Sequence, residues 1–266
     1  MSATDRDMLK LPKKKFKMWN WVWLILMILG LVLSVNNTKT SLPEFFANFD
    51  QFAEIFVQMA QPDWSYAGTA IPYLVETIKM AIISTVIGSL LAFVYSLLIA
   101  RNIVHNRAVT GVLRFIMNII RTIPDLLLGS IFVAIVGIGP VAGILALIVF
   151  TFGVVVKLFY EAIETIDPGP SEAIKAVGGN GMNNIMFAVM PQILPYFISY
   201  ALYAFEINVR ASTILGYIGA GGIGLQLKNT LDMFNYNQTG MIILVVFLVV
   251  LVIDFVSTKA RGALMR

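Results

Sequence analysis

The sequence predicts an all-α integral membrane protein with six transmembrane helices, and three observations carry that prediction. Of the 266 residues, 58% are hydrophobic and only 13% are charged, about half the charged fraction of a soluble domain. The apolar residues gather in runs long enough to cross about 30 Å of hydrocarbon, which takes about 20 residues in a helix. The basic residues cluster at the ends of those runs, where segments retained on the inner side of a membrane keep their lysines and arginines.

The first span follows Lys10, Lys13, Lys14, Lys15 and Lys17 and runs to Val35, with Trp19, Trp21 and Trp23 as an aromatic belt at the inner face. Its apolar stretch is long for a signal peptide and no A-x-A site follows it. A retained helix with a cytoplasmic N-terminus is therefore expected. Asn36 to Gly68 is polar, aromatic and acidic, and Phe45, Phe49, Phe52 and Phe56 recur at helical spacing. That spacing predicts an amphipathic helix on the outer side, packed against the bundle.

The second span is expected from Tyr73 to Ile99, followed by a basic loop with Arg101, Arg107, Arg114 and Arg121. The third is expected over Arg121–Gly137 and the fourth over Ile138–Val156, joined by a tight turn at Gly137 to Pro140. The fifth covers Ile193–Leu215. "GYIGAGGIG", Gly216 to Gly224, then reads as a tight glycine turn, and the sixth covers Thr239–Ser257. This divides the chain into residues 1–72, the five-helix region 73–260 and the short tail 261–266.

With the N-terminus inside, the inner segments hold fifteen basic residues (six, four, two and three in order), and the outer segments only Lys39 and Lys228. The asymmetry supports an even number of spans with both termini in the cytoplasm, the expectation for a multi-pass protein of a cell membrane. The net charge of +4 is accounted for by these flanks, so nucleic acid is not an expected partner, whereas membrane lipid is. The chain has no cysteine and one histidine, His105. Disulfides, thiolate chemistry and an assembled metal site are excluded, and no catalytic constellation is found. The glycine run lacks the strand and Walker lysine of a nucleotide loop.

One cytoplasmic segment breaks the apolar pattern. "PSEAIKAVGGNGMNNIMFAVMP", Pro170 to Pro191, opens on Ser171, an expected N-cap, with Glu172 in the first turn where its charge suits the helix dipole. Ala173 and Ala176 keep the helix slim. Gly178-Gly179 stops it, and a second helix is expected from Asn180 or Gly181 to Pro191. Such a segment is either a plain loop or a rigid lever that a soluble partner could grip.

Charged groups inside a span are costly and face a partner or a water-filled path. Glu206 and Arg210 lie four apart on the fifth span, with Asn208, Ser212 and Thr213 close in sequence. They form either a structural ion pair with polar neighbours or the lining of a path in which Arg210 attracts an anion. Arg121 and Asp125 are expected to pair in the same way at the third span, and Asp254 lies close to Lys259.

"EAIKAVGGNGMNNIMFAVMP" resembles the EAA signature of ABC-importer permeases: E-A-A, three residues, G, nine residues, then I-x-L-P. Glu172, Ala173, Gly178 and Pro191 fall at those spacings, while Ile174, Ala188 and Met190 depart from the pattern. "FEINVRASTILGYIGAGGIGLQL", Phe205 to Leu227, and "RTIPDLLL", Arg121 to Leu128, are similar to segments of phosphonate-type permeases. The resemblance covers about Tyr73 to the C-terminus. It implies a type I ABC importer permease fold, a second copy of the chain, two cytoplasmic ABC ATPases and an external substrate-binding protein. ATP and magnesium would then belong to the partner ATPase, with none bound by this chain. Glu172, Ala173, Ala176 and Gly178, supported by Asn180 and Gly181, would form the ATPase-coupling segment. The implied cargo is a small phosphorus oxyanion (phosphonate, phosphite or phosphate). Another small solute such as methionine, or an ATP-independent channel or secondary transporter, stays open.

Overall fold

The computed structural model describes residues 18–37 and 47–264. The expected basic flank Lys10 to Lys17, Lys39, Phe45 and Arg266 lie outside the described residues. The chain divides into two compact units, Met1–Glu54 and Ile55–Arg266.

In the first unit, helix α1 (Met18–Asn37) has 20 residues, enough to cross about 30 Å of hydrocarbon at 1.5 Å per residue. Its apolar side chains are exposed all round, and Trp19 and Trp23 meet edge to face at 6.0 Å. Helix α2 (Phe49–Met59) carries the boundary between the units. Phe49, Phe52 and Phe56 fall on this helix as expected, each about half exposed.

The second unit is a bundle of long helices. Asp63 caps a 3-10 turn, its Oδ1 accepting from Ser65 N at 3.0 Å, and α3 (Ala67–Ile99) follows. The helix begins one and a half turns before the expected Tyr73 and holds Pro72 inside it. Its buried stripe is made of small residues, including Ala81, Ser84, Gly88, Ala92 and Ser96. These let α6 (Pro140–Glu164) lie close along it. In lipid the gain comes from such close contact, because apolar surface has no water to escape. Phe93, Phe159 and Phe197 add a ring cluster with centroids 4.9–5.5 Å apart. Each such pair contributes about 0.5–1.5 kcal/mol beyond its area.

Two expectations are corrected. The basic stretch after α3 is no loop: Asn106 Oδ1 accepts from Ala108 N and Val109 N and starts helix α4 (Arg107–Thr122). α4 then breaks at Ile123-Pro124 and continues as α5 (Asp125–Val136) after a bend of 84°. Proline disfavours helical geometry in the residue before it, and Ile123 is accordingly extended. Twelve residues give α5 a length of about 18 Å, short of the hydrocarbon thickness. The third span is thus a bent pair, and the described residues hold five helices long and apolar enough to cross, or up to six with that pair.

The rest of the bundle closes on α3 and α6. Helix α7 (Gly169–Ala176) is the short segment after α6. Helix α8 (Gly181–Tyr217) packs across both α3 and α6. The glycine run that reads as a plain turn instead leads into an 11-residue helix, α9 (Gly222–Asp232), before α10 (Tyr236–Leu264). α9 folds back against α8, and Ile223 N donates to Thr77 Oγ1 of α3 at 2.8 Å. Gly139 N, at the start of α6, donates to Gly219 O at 2.9 Å.

Candidate functional site

The polar segment between α6 and α8 is a rigid hairpin built by local caps. α7 begins at Gly169, three residues earlier than a Ser171 cap would put it. Pro170 sits in the first turn, where its missing N–H costs nothing, and Asp167 Oδ1 accepts from Gly169 N at 2.9 Å. Ser171 therefore lies inside the helix. Glu172 stays in the first turn, as expected.

Gly178 ends α7 with φ +80. A residue with a side chain resists this left-handed conformation by about 1–2 kcal/mol. The turn is closed by Gly179 N to Ile174 O at 2.9 Å and Gly178 N to Lys175 O at 3.0 Å, which together satisfy carbonyls that a helix end leaves orphaned. Asn180 then caps the next helix, its Oδ1 accepting from Asn183 N at 2.9 Å, so the second helix starts at Gly181. It does not stop at Pro191. A π-helical stretch at Asn184–Val189 carries it directly into the fifth span. The two-helix lever is one short helix folded onto the base of a long one.

Gln192 locks that base and is invisible to motif reading. Its Oε1 accepts from Asp167 N at 3.1 Å, while Nε2 donates to Asp167 O at 3.3 Å and Ala188 O at 2.9 Å. The linker before α7 is thereby tied to the root of α8. Around this frame Val177, Met182 and Phe187 are 81%, 68% and 67% exposed, while Ala188 and Val189 are buried against the bundle. Ala173 and Ala176 are likewise exposed.

The polar residues of the fifth span separate onto two faces. Asn208 is fully buried, and its Nδ2 donates to Thr85 Oγ1 at 2.8 Å and Thr151 Oγ1 at 2.7 Å. One amide thus joins α3, α6 and α8. Ser212 and Thr213 turn inward on their own helix, each hydroxyl donating to Val209 O. Asn208→Ala leaves both threonine hydroxyls without this partner in a dry interior. It should lower stability by about 1–3 kcal/mol, seen as a lower melting temperature in detergent with the expression level unchanged.

Glu206 and Arg210 occupy the other face. Arg210 pairs with Glu206, and Arg261 of α10 donates to the second Glu206 oxygen at 3.2 Å. The Glu206 side chain is 9% exposed and that of Arg210 51%. Asp254 lies 4.0 Å from Arg210 rather than beside Lys259, which sits over the Phe255 ring. Burial of a singly paired carboxylate is costly, and two guanidiniums on one carboxylate offset it. Arg121 and Asp125 do not pair: Asp125 opens α5 and its Oδ1 accepts from the next backbone amide, Leu126 N, at 2.9 Å.

A third polar cluster, missed in the sequence, ties the ends of α3, α4 and α6 together. Arg114 donates to Ile99 O through Nε and NH2 at 3.1 and 2.8 Å and pairs with Glu164. The Arg114 guanidinium lies 4.4 Å from the Tyr160 ring centroid. Asn102 Nδ2 donates to Ile163 O at 2.6 Å. Its only sequence signal is the seven-residue spacing of Arg107, Arg114 and Arg121, which puts all three on one helical stripe.

Comparison with known proteins agrees with this arrangement. Residues 92–259 match the family model of binding-protein-dependent transport system inner membrane components. The phosphite transport system permease protein PtxC of Stutzerimonas stutzeri is 40% identical over 200 residues, covering 75% of this chain and 73% of that protein. The phosphate-import permease protein PhnE of Mycolicibacterium smegmatis is 36% identical over 211 residues, covering 79% of this chain and 40% of that one. Among solved structures, the MetNI methionine ABC transporter in an inward-facing conformation matches with a TM-score of 0.67 at 22% identity, over 77% of this chain and 100% of that chain. The structural match shows the fold, and the family model runs from the last part of α3 into α10, so it takes in the bent third span, the exposed hairpin and the folded-back α9. This chain is a multi-pass membrane protein that belongs to the family of binding-protein-dependent transport system inner membrane components.

Proposed function

We propose that this chain is the permease subunit of an ATP-driven ABC importer for a small phosphorus oxyanion. It works as two copies, with two ABC ATPases at the cytoplasmic face and an external binding protein that delivers the cargo. ATP and magnesium bind in the ATPases. The observation that carries the reading is the capped, exposed hairpin at Gly169–Asn183, standing between two long spans, α6 and α8, that pack against each other in the bundle. The lysine and arginine asymmetry supports cytoplasmic termini and a cytoplasmic hairpin, and the relatives named for phosphite and phosphate support the cargo class.

In this reading the ATPase grips α7 around Glu172, Ala173, Ala176 and Gly178. Its movement passes through the Gln192 lock to the root of α8, so the span that carries Arg210 tilts as a unit. Arg210 shares the Glu206 carboxylate with Arg261, stands 4.0 Å from Asp254 and is half exposed. It therefore keeps donors free for a passing oxyanion, whose geometry suits a planar guanidinium.

The test is the reconstituted complex with its binding protein. Phosphite, a phosphonate or phosphate should raise ATP hydrolysis, and Arg210→Ala should cut uptake by about tenfold. That is the scale of one charge-assisted hydrogen bond of about 1.5 kcal/mol. Arg210→Lys restores the charge without the fork and should recover uptake only in part. Stimulation by an amino acid and by no phosphorus oxyanion would overturn the cargo assignment.

A further inference from the structure

We propose that the connection between α3 and α4 holds the headgroup of an acidic phospholipid. α3 ends at Ile99 and α4 begins at Arg107. Between them lies a cavity of about 490 Å³ lined by Arg101, Val104, His105 and Arg107. No carboxylate faces it. Glu164, which reaches this connection at Arg101 N (2.8 Å), is already engaged by the Arg114 guanidinium. The guanidiniums of Arg101 and Arg107 form no ion pair among the described residues, and both residues are exposed. Two unneutralised guanidiniums around one opening are a site for an anion, and a phosphodiester accepts from both in bidentate fashion.

What makes that anion a lipid is the surface beside it. Leu91, Val94, Leu98 and Phe152 line an apolar cavity of about 470 Å³ on the bundle flank, and Leu98 stands three residues before Arg101. On α4 itself Val109 and Val112 are exposed at the start of the helix. Free phosphate has the charge to fill the basic cavity but no use for the apolar flank. An acyl chain laid along Leu98 toward Leu91 covers the flank while its headgroup sits between Arg101 and Arg107. Basic side chains at a span end are the sequence-readable form of such recognition.

The probe is phosphatidylglycerol, set against phosphatidylcholine, with retained lipid read by native mass spectrometry of the full permease complex. The wild-type complex should retain phosphatidylglycerol about thirtyfold more strongly than does the R101Q/R107Q double variant. That factor follows from about 1 kcal/mol for each basic residue at an anionic surface at about 1.4 kcal/mol per tenfold. R101K/R107K, which keeps both charges, should hold the lipid nearly as well as wild type. Two results would overturn the proposal. One is equal retention of phosphatidylglycerol by wild type and R101Q/R107Q. The other, which needs no variant, is displacement of phosphatidylglycerol from wild type by millimolar inorganic phosphate, marking a free-anion site.

Discussion

A permease in which a flexible Gly-Ser linker of equal length replaces Glu172–Gly178 should keep its bundle and lose its ATPase. The segment contributes no buried residue, so removing its helix takes nothing from the core clusters. What it removes is the fixed presentation of Val177 and the first-turn Glu172, held by the Gly178 turn, the Asn180 cap and Gln192. A floppy linker must be ordered at about 1–2 kcal/mol per residue before it can offer the same surface. Over seven residues that cost outweighs what the exposed face of one short helix can return. The expected result is loss of ATPase co-purification in detergent, with the thermal melt of the permease within a few degrees of wild type. Co-purification at the wild-type level would remove α7 from the coupling pathway.

Gly224→Ala should be the most damaging single substitution in the bundle. A Cβ there would stand 1.9 Å from Thr213 O, 2.8 Å from Thr213 C and 2.9 Å from Gly216 Cα, none of which can swing aside. All are backbone, so relief requires moving α9 off α8. That movement also breaks the Ile223–Thr77 hydrogen bond. Overpacking of this kind costs about 3 kcal/mol, which at this chain length lowers the melting temperature by about 6–12 °C. Gly30→Ala on α1, where a Cβ meets nothing within 4 Å, is the control and should be silent. A Gly224→Ala protein melting with wild type would show that the α8–α9 crossing is looser than the structure places it.

The two substitutions also mark what the sequence reveals and what it hides. Hydropathy finds α1, α3, α6, α8 and α10, because each is an unbroken apolar run that the bilayer must enclose. It misreads α4, whose arginines look like a loop until Asn106 and the helical stripe of Arg107, Arg114 and Arg121 are taken together. It merges α4 with α5, because a bend of 84° leaves no trace beyond one proline. The exposed hairpin is legible through Gly178, whose turn demands glycine, but Gln192 is not, since its three hydrogen bonds depend on where Asp167 arrives in space. Glu206 and Arg210 are legible as a pair four residues apart, whereas Arg261, fifty-five residues away, joins them only through the fold. Asn208 reads as one more polar neighbour of Arg210 and turns out to face the opposite way.

The π-helical stretch at Asn184–Val189 gives the hairpin a rotational phase of its own. Its wider winding takes up one residue more than an α-helix would use over the same rise, and each residue of an α-helix is worth about 100° of turn. Everything below it, including α7 with Glu172, is therefore set about a third of a revolution away from where an uninterrupted helix would aim it. The direction in which this subunit offers its hairpin is a matter of one residue's worth of winding, adjustable without touching either the contact surface or the bundle.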